Sequence, residues 1–226
     1  MGGAIVPAYN KPGCDLKIKQ TQLADIYLGK ITDWKELGCE EGKISPVFRS
    51  DGSGTTAGFT NSLAAFSPEW KEKIGTANAV SWPVCVGSKG NAGVAGSIRT
   101  TLGSIGYVNQ SYVKGEIRAA TLQNKNGDFV APTVESGALA LNGITLDENL
   151  AGTDPNPAAE GAYPIATLTW ILAYETGNGN KTEAIKTTLS TLLSDNYQEK
   201  ASVLGYVPLR GDILQKSRDA VERIGK

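Results

Sequence analysis

Residues 44 to 66 constrain the fold more than any other stretch of the chain. Ile44 to Phe48 is an apolar run that reads as a strand. Arg49-Ser50-Asp51-Gly52-Ser53-Gly54-Thr55-Thr56 follows it. Then comes Ala57 to Phe66, where Phe59, Leu63 and Phe66 recur at i, i+4 and i+7. That spacing lines one face of a helix, so the middle stretch is a strand-to-helix turn. Its glycines permit a tight turn and close approach of backbone to a ligand. The first N–H groups of a helix have no partner within it, and the helix dipole places positive potential there. Ser53, Thr55 and Thr56 add hydroxyl donors, and Arg49 adds a fixed-charge fork matched to a tetrahedral oxyanion. A small anion such as phosphate is the natural occupant. The plainer reading is that Gly, Ser and Thr only make the turn and cap the helix. An arginine directly before the turn, with three hydroxyls and two glycines inside it, favours the anion.

Other chemistries fit this turn poorly. No lysine follows the second glycine, so it is not a Walker A loop. Gly52 and Gly54 flank Ser53 directly, which is not the G-x-S-x-G spacing of a nucleophile elbow. The chain has no histidine, which excludes Ser-His-Asp and Cys-His systems within it. A Ser-Lys hydrolase using Lys89 is left open, although nothing in the sequence specifies that pairing. The net charge of -1, without a long run of either sign, argues against an electrostatic grip on nucleic acid or an anionic membrane. No apolar run approaches the roughly 18 residues of a membrane-spanning helix. Met1 to Val6 lacks the basic start and long apolar core of a signal peptide, so any leader is expected to be absent from this chain.

Cys14 and Cys39 lie in glycine-flanked turns that bracket a short helix. A disulfide between them is the expectation, with free thiols the open alternative. Cys85, in the apolar run Val84 to Val86, reads as a buried strand thiol. Without histidine or C-x-x-C spacing no metal site is expected, and no cofactor.

In order, the pattern predicts a strand over 3–9 and a helix from an N-cap at Thr21 through Leu28, stopped by Gly29. A short helical turn at 31–34 precedes the central strand and turn. Ser67-Pro68 opens a helix over 69–74. Val80 to Val86 reads as a strand that Pro83 demotes to an edge or bulge. Gly87 to Gly93 is a second glycine-rich turn entering a helix through Thr101, placed near the same cleft. Its G-x-x-G-x-x-G pattern is not a dinucleotide fingerprint. A strand over 105–108, a hairpin of 118–122 with 128–130 and a helix capped by Thr133 follow. Residues 149–162 read as loop and 164–174 as an extended apolar run. Two amphipathic helices end the chain, with Ile185, Leu189, Leu192 and Leu193 on one stripe, and Ile213, Leu214, Ser217, Val221 and Ile224 on the other. Alternating short strands and helices indicate an α/β fold.

Taken together, five stretches resemble a known family. They are Asp25-Ile-Tyr-Leu-Gly-Lys-Ile31, Arg49-Ser-Asp-Gly-Ser-Gly-Thr55, Ile105-Gly-Tyr-Val108, Pro164-Ile-Ala-Thr-Leu-Thr-Trp-Ile171 and Leu204-Gly-Tyr-Val-Pro-Leu209. The family is the phosphate-binding protein of the bacterial phosphate ABC importer, and the cysteine contexts and short loops are most similar to its cyanobacterial members. The resemblance implies a periplasmic protein of the type II periplasmic-binding-protein fold that is not an enzyme. Its partners would be inorganic phosphate and, through the importer, a permease and an ATPase. Arg49, Ser53, Gly54 and Thr55 would hold the phosphate, and Asp51 would hold the Arg49 guanidinium. That role for Asp51 also follows from charge, since a carboxylate beside an anion repels it unless an arginine intervenes. Sulfate is the alternative ligand, and a phosphate-ester hydrolase is the alternative from another class.

The family also carries an N-terminal segment with hydroxyl-rich turns and a proton-accepting aspartate, and none of its motifs occurs here. The resulting expectation is one complete lobe plus an incomplete first lobe. Residues 1–10 would be a lobe-crossing strand, 11–163 the second lobe with the anion-binding loop, 164–174 the return strand and 175–226 the incomplete lobe. Its uncovered apolar stripes would favour a homo-oligomer. Phosphate affinity and the preference over sulfate are expected to fall accordingly.

Overall fold

The computed structural model describes residues 1–225. The axis of the fold is β1 (Gly2–Asn10), buried at every residue. A strand covered on both faces needs no alternation of apolar and polar residues, and β1 shows none. After it come β2 (Lys17–Ile18), α1 (Gln20–Tyr27), β3 (Ser45–Arg49), α2 (Gly54–Phe66), α3 (Pro68–Lys73), β4 (Val86–Ser88), α4 (Gly90–Thr100) and β5 (Ser104–Asn109). Except for β2, these strands make one sheet in the order β4-β3-β5-β1, and β3 runs parallel to both β4 and β5. β1 runs antiparallel to β5, from Ile5 opposite Asn109 to Asn10 opposite Ser104. The chain therefore leaves β3 through α2 to one neighbour and returns through α4 to the other. In such sheets ligands sit beyond the carboxyl end of the strand where the order reverses, which here is Arg49 on β3.

β6 (Arg118–Ala119) joins the far edge of β1, while β7 (Thr121–Gln123) and β8 (Phe129–Val130) pair around the Asn126-Gly127 turn. The expected hairpin strand over 118–122 is thus two strands in different sheets, because Ala120 donates its N–H to Pro7 at the break. α5 (Val134–Asn142) is capped by Thr133, whose Oγ1 accepts from Ser136 N. β9 (Ala166–Leu168) pairs with the first residues of β1, so the extended run of 164–174 is a strand over only three residues. Beyond it Leu172 and Tyr174 are almost wholly exposed.

Two further expectations are corrected. The N-cap of α1 is Lys19, not Thr21, because Gln22 Oε1 accepts the Lys19 N–H and starts the helix earlier. Residues 80–85 are not a strand. Trp82 packs against Tyr27, Phe48, Phe59, Trp70 and Tyr107, and Pro83 has no N–H to continue a ladder. Cys85 is accordingly a half-buried residue ahead of β4, its thiol pushed up to about 12 by burial. Cys14 and Cys39 are joined by a disulfide, with Cα atoms 5.4 Å apart.

The C-terminal part holds α6 (Thr182–Leu192), α7 (Asp195–Val203) and α8 (Gly211–Arg223). Two apolar clusters divide the molecule. The larger gathers side chains between Ala4 and Ile165 around the sheet. The smaller joins Leu141, Ile144 and Leu146 to Leu168, Val207, Leu209, Ile213 and Leu214. A pair of main-chain hydrogen bonds between Gly2 and Val207, at 2.9 and 2.8 Å, ties the C-terminal part to the start of β1.

Candidate functional site

β3 ends at Arg49 and α2 begins at Gly54, so the intervening turn lies at the carboxyl edge of the parallel strands. Ser53 is the N-cap of α2, with extended backbone (φ -148°, ψ 130°). Its Oγ accepts from Thr55 N at 3.1 Å and Thr56 N at 3.4 Å. Neither the Ser53 hydroxyl proton nor the Gly54 N–H has an acceptor among the described residues. Ser53 N itself donates to Asn78 O at 2.9 Å, which ties the turn to the segment after α3.

Arg49 is held at both ends. Its backbone N–H donates to the Tyr107 hydroxyl at 3.1 Å, and that hydroxyl shares a 2.8 Å hydrogen bond with Thr56 Oγ1. Tyr107 is fixed in turn by stacking on Phe59, with ring centroids 4.2 Å apart. The guanidinium pairs side-on with Asp51, Nε to Oδ1 at 2.8 Å and Nη2 to Oδ2 at 2.6 Å. Its Nη1 edge has no protein acceptor among the described residues. Asp51 Oδ1 also accepts the Gly90 N–H at 2.9 Å. The Arg49 hydrogen bonds, and then that from Gly90, hold the Asp51 carboxyl well below the usual carboxylate range. The same pairing raises the Arg49 guanidinium further above neutrality. Burial raises the Tyr107 phenol, which stays protonated and keeps its hydroxyl in this network.

Arg49, Ser53, Gly54 and Thr55 line one open cavity of about 850 Å³, with Asn91 and Asn109 on its wall. The arrangement presents a cationic edge, a free helix N–H and hydroxyls to one cavity, with the Asp51 carboxylate already accepting three N–H donors. It can hold a small anion through hydrogen bonds. The second glycine-rich turn reaches this cavity through Asn91, and its Gly90 touches the clamp only through Asp51. Sequence reasoning gave Tyr107 no role, because nothing local in Ile105 to Val108 signals a contact with Arg49.

The chain matches the model of the PBP superfamily domain over residues 1–196. The phosphate-binding protein PstS of Xylella fastidiosa is 37% identical over 95% of this chain and 63% of its own length. That of Haemophilus influenzae is 35% identical, over 94% of this chain and 68% of its own length. The chain belongs to the PstS phosphate-binding protein family. It spans about 63% of the length of the Xylella relative. The PstS-type fold is seen again in a high affinity periplasmic phosphate-binding protein solved with phosphate bound. That structure matches with a TM-score of 0.75 at 19% identity, over 96% of this chain and 69% of the other. The mixed α/β sheet with helices at the edge of its parallel strands is therefore a periplasmic-binding-protein-like fold. Among the described residues no helix is long and apolar enough to cross a membrane.

Proposed function

We propose that this chain binds inorganic phosphate as the solute-binding component of a phosphate ABC importer, working in the periplasm with a permease and ATPase. The observation that carries this reading is the Arg49–Asp51 pair at the N-terminus of α2. The free edge of Arg49 supplies charge-assisted hydrogen bonds. Gly54 donates from its backbone, and Ser53 and Thr55 from their hydroxyls. Asp51 orients the arginine and does not meet the ligand. Phosphate is thus held by one arginine, a helix end and neutral donors. In this reading residues 11–163 form one lobe, 1–10 and 164–174 cross between lobes, and 175–226 belong to the other lobe. The exposed apolar residues Leu172, Tyr174, Val203 and Leu204 support association of copies through that C-terminal part.

Sulfate is the second reading, since Arg49 and the Gly54 N–H only donate, and the Asp51 carboxylate, already engaged by Arg49 and Gly90, does not serve to accept a proton from the ligand. Calorimetric titration of phosphate, then sulfate, separates the two. A chromogenic phosphate ester incubated with the chain tests the hydrolase alternative. The proposal expects phosphate binding and no ester turnover, and turnover lost in Ser53→Ala would replace it with the enzyme.

A further inference from the structure

We propose that Gly90 is a positioning residue for the anion clamp: its N–H holds Asp51 Oδ1 and, through Asp51, sets the direction of the Arg49 guanidinium. This inference rests on the reading of Arg49 to Thr55 as an anion site.

The shared oxygen is the first reason. Asp51 Oδ1 receives Arg49 Nε at 2.8 Å and Gly90 N at 2.9 Å, so one atom joins the clamp to a separate element. Without that third contact the clamp would be an ion pair two residues apart on a solvent-facing turn. The Asp51 side chain is 31% exposed, and Ser50 and Gly52 beside it are exposed. A pair of that kind gains little in water and samples several rotamers. Gly90 fixes the carboxylate from outside the turn.

The second reason is the backbone of Gly90. It has φ +71°, and a Cβ built there would meet nothing within 4 Å. Packing therefore does not require glycine at this position. The left-handed conformation that carries its N–H onto Asp51 does.

The third reason is that α4 is a firm mount. Val94, Ala95 and Ile98 are buried against the sheet, and Asn91 Oδ1 accepts Asn109 N at 3.1 Å. The strand before it is linked to its second turn by Ser88 and Ser97, whose hydroxyls lie 2.7 Å apart. The dipole of α4 also favours a carboxylate at its N-terminus. The two helix ends thus serve different negative charges: α4 takes Asp51, and α2 is left to the ligand.

The test uses the full chain, ¹⁵N-labelled, and reads the ligand-free protein and phosphate binding separately. The Arg49 Nε–H resonance, assigned by its loss in Arg49→Lys, is expected to be slow to exchange in the wild type. Gly90→Ala strains the left-handed backbone. It is expected to collapse that resonance into the exposed-arginine envelope and to weaken phosphate binding about tenfold. Gly90→Asn, whose side chain tolerates this conformation, restores both. In an Asp51→Ala background Gly90→Ala adds no further loss, because the two act as one unit. Asp51→Ala alone also strips exchange protection from the Gly90 amide, a readout that does not depend on the Gly90 variants folding. An unchanged Arg49 resonance in a folded Gly90→Ala, an additive loss in the Asp51→Ala background, or a Gly90 amide still protected in Asp51→Ala overturns the inference. If the wild type binds no phosphate, the functional reading falls, while the ligand-free resonances still decide the role of Gly90.

Discussion

Helices α2 and α6 carry apolar side chains at the same spacing and meet different fates. On α2, Phe59, Leu63 and Phe66 are buried, and Phe59 stacks on Tyr107, whose hydroxyl holds the Arg49 backbone. On α6 none of the residues is buried, and Leu192 is 37% exposed. α8 lies between these cases, burying Ile213, Leu214 and Val221, the first two within the smaller cluster. Periodicity identifies the face of a helix that seeks cover; only the rest of the fold supplies the cover. The site belongs to the well-covered region, because a clamp that must stay aimed needs the elements carrying it to be fixed. β3, α2, α4 and β5 all pack into the larger cluster and converge on Arg49.

The contrast can be broken most severely at Phe59. Phe59→Ala removes a fully buried ring from between Tyr27, Trp82 and Tyr107 and is expected to cost about 3–5 kcal/mol in urea unfolding. Leu189→Ala on α6 is expected to cost no more than about 1 kcal/mol, since that residue is only half-buried. Equal losses would mean that the two regions are covered alike. Reducing Cys14–Cys39, which closes 25 residues of chain within the larger cluster, is expected to cost roughly 3 kcal/mol. Hydrogen exchange should then rise around α1 and β3 and not in α6.

Ser53→Ala sharpens the comparison at the site itself. Loss of the cap is expected to cost about 1 kcal/mol of stability, and loss of the hydroxyl to weaken phosphate binding about tenfold. An affinity unchanged beside lowered stability would make Ser53 a cap only. The pH response is a smaller effect with a definite sign. Asp51 has a lowered folded pKa, so its pairing stabilises the fold above the ordinary carboxylate range and is lost only as pH falls through the lowered value. Its Cγ chemical shift should stay flat from pH 8 down to about pH 4, where ordinary aspartates titrate. A midpoint near that ordinary value would show the clamp to be loose. Association through the exposed C-terminal residues should appear as a concentration-dependent mass in light scattering, diminished by Leu172→Ser.

What was legible in the sequence was local. Arg49 to Thr55 is one continuous turn, so its strand, cap and helix could be read together, and all four expected ligand residues line one cavity. The contacts that brace the turn are distant in sequence: Gly90 lies 39 residues from Asp51, and Tyr107 lies 58 from Arg49. No spacing rule reaches that far. The strand expected over 80–86 fails because Trp82 is drawn into the aromatic cluster, a tertiary demand that overrides β propensity. α7 escaped notice because its inward residues are Gln198 and Ala201 rather than an apolar stripe. Gln198 accepts the Leu209 N–H at 2.8 Å and donates to Leu192 O at 2.7 Å, which satisfies a buried amide without any hydrophobic signal.

The most direct test of the central claim is calorimetric titration of phosphate into the wild-type chain and into Arg49→Ala. Hydrogen bonds to charged groups contribute roughly 1.5–3 kcal/mol each, so losing the arginine should lower affinity about a hundredfold or more. The account predicts saturable binding in the wild type and none measurable in the variant. Phosphate bound by Arg49→Ala at wild-type affinity, or not bound by the wild type at all, would contradict it.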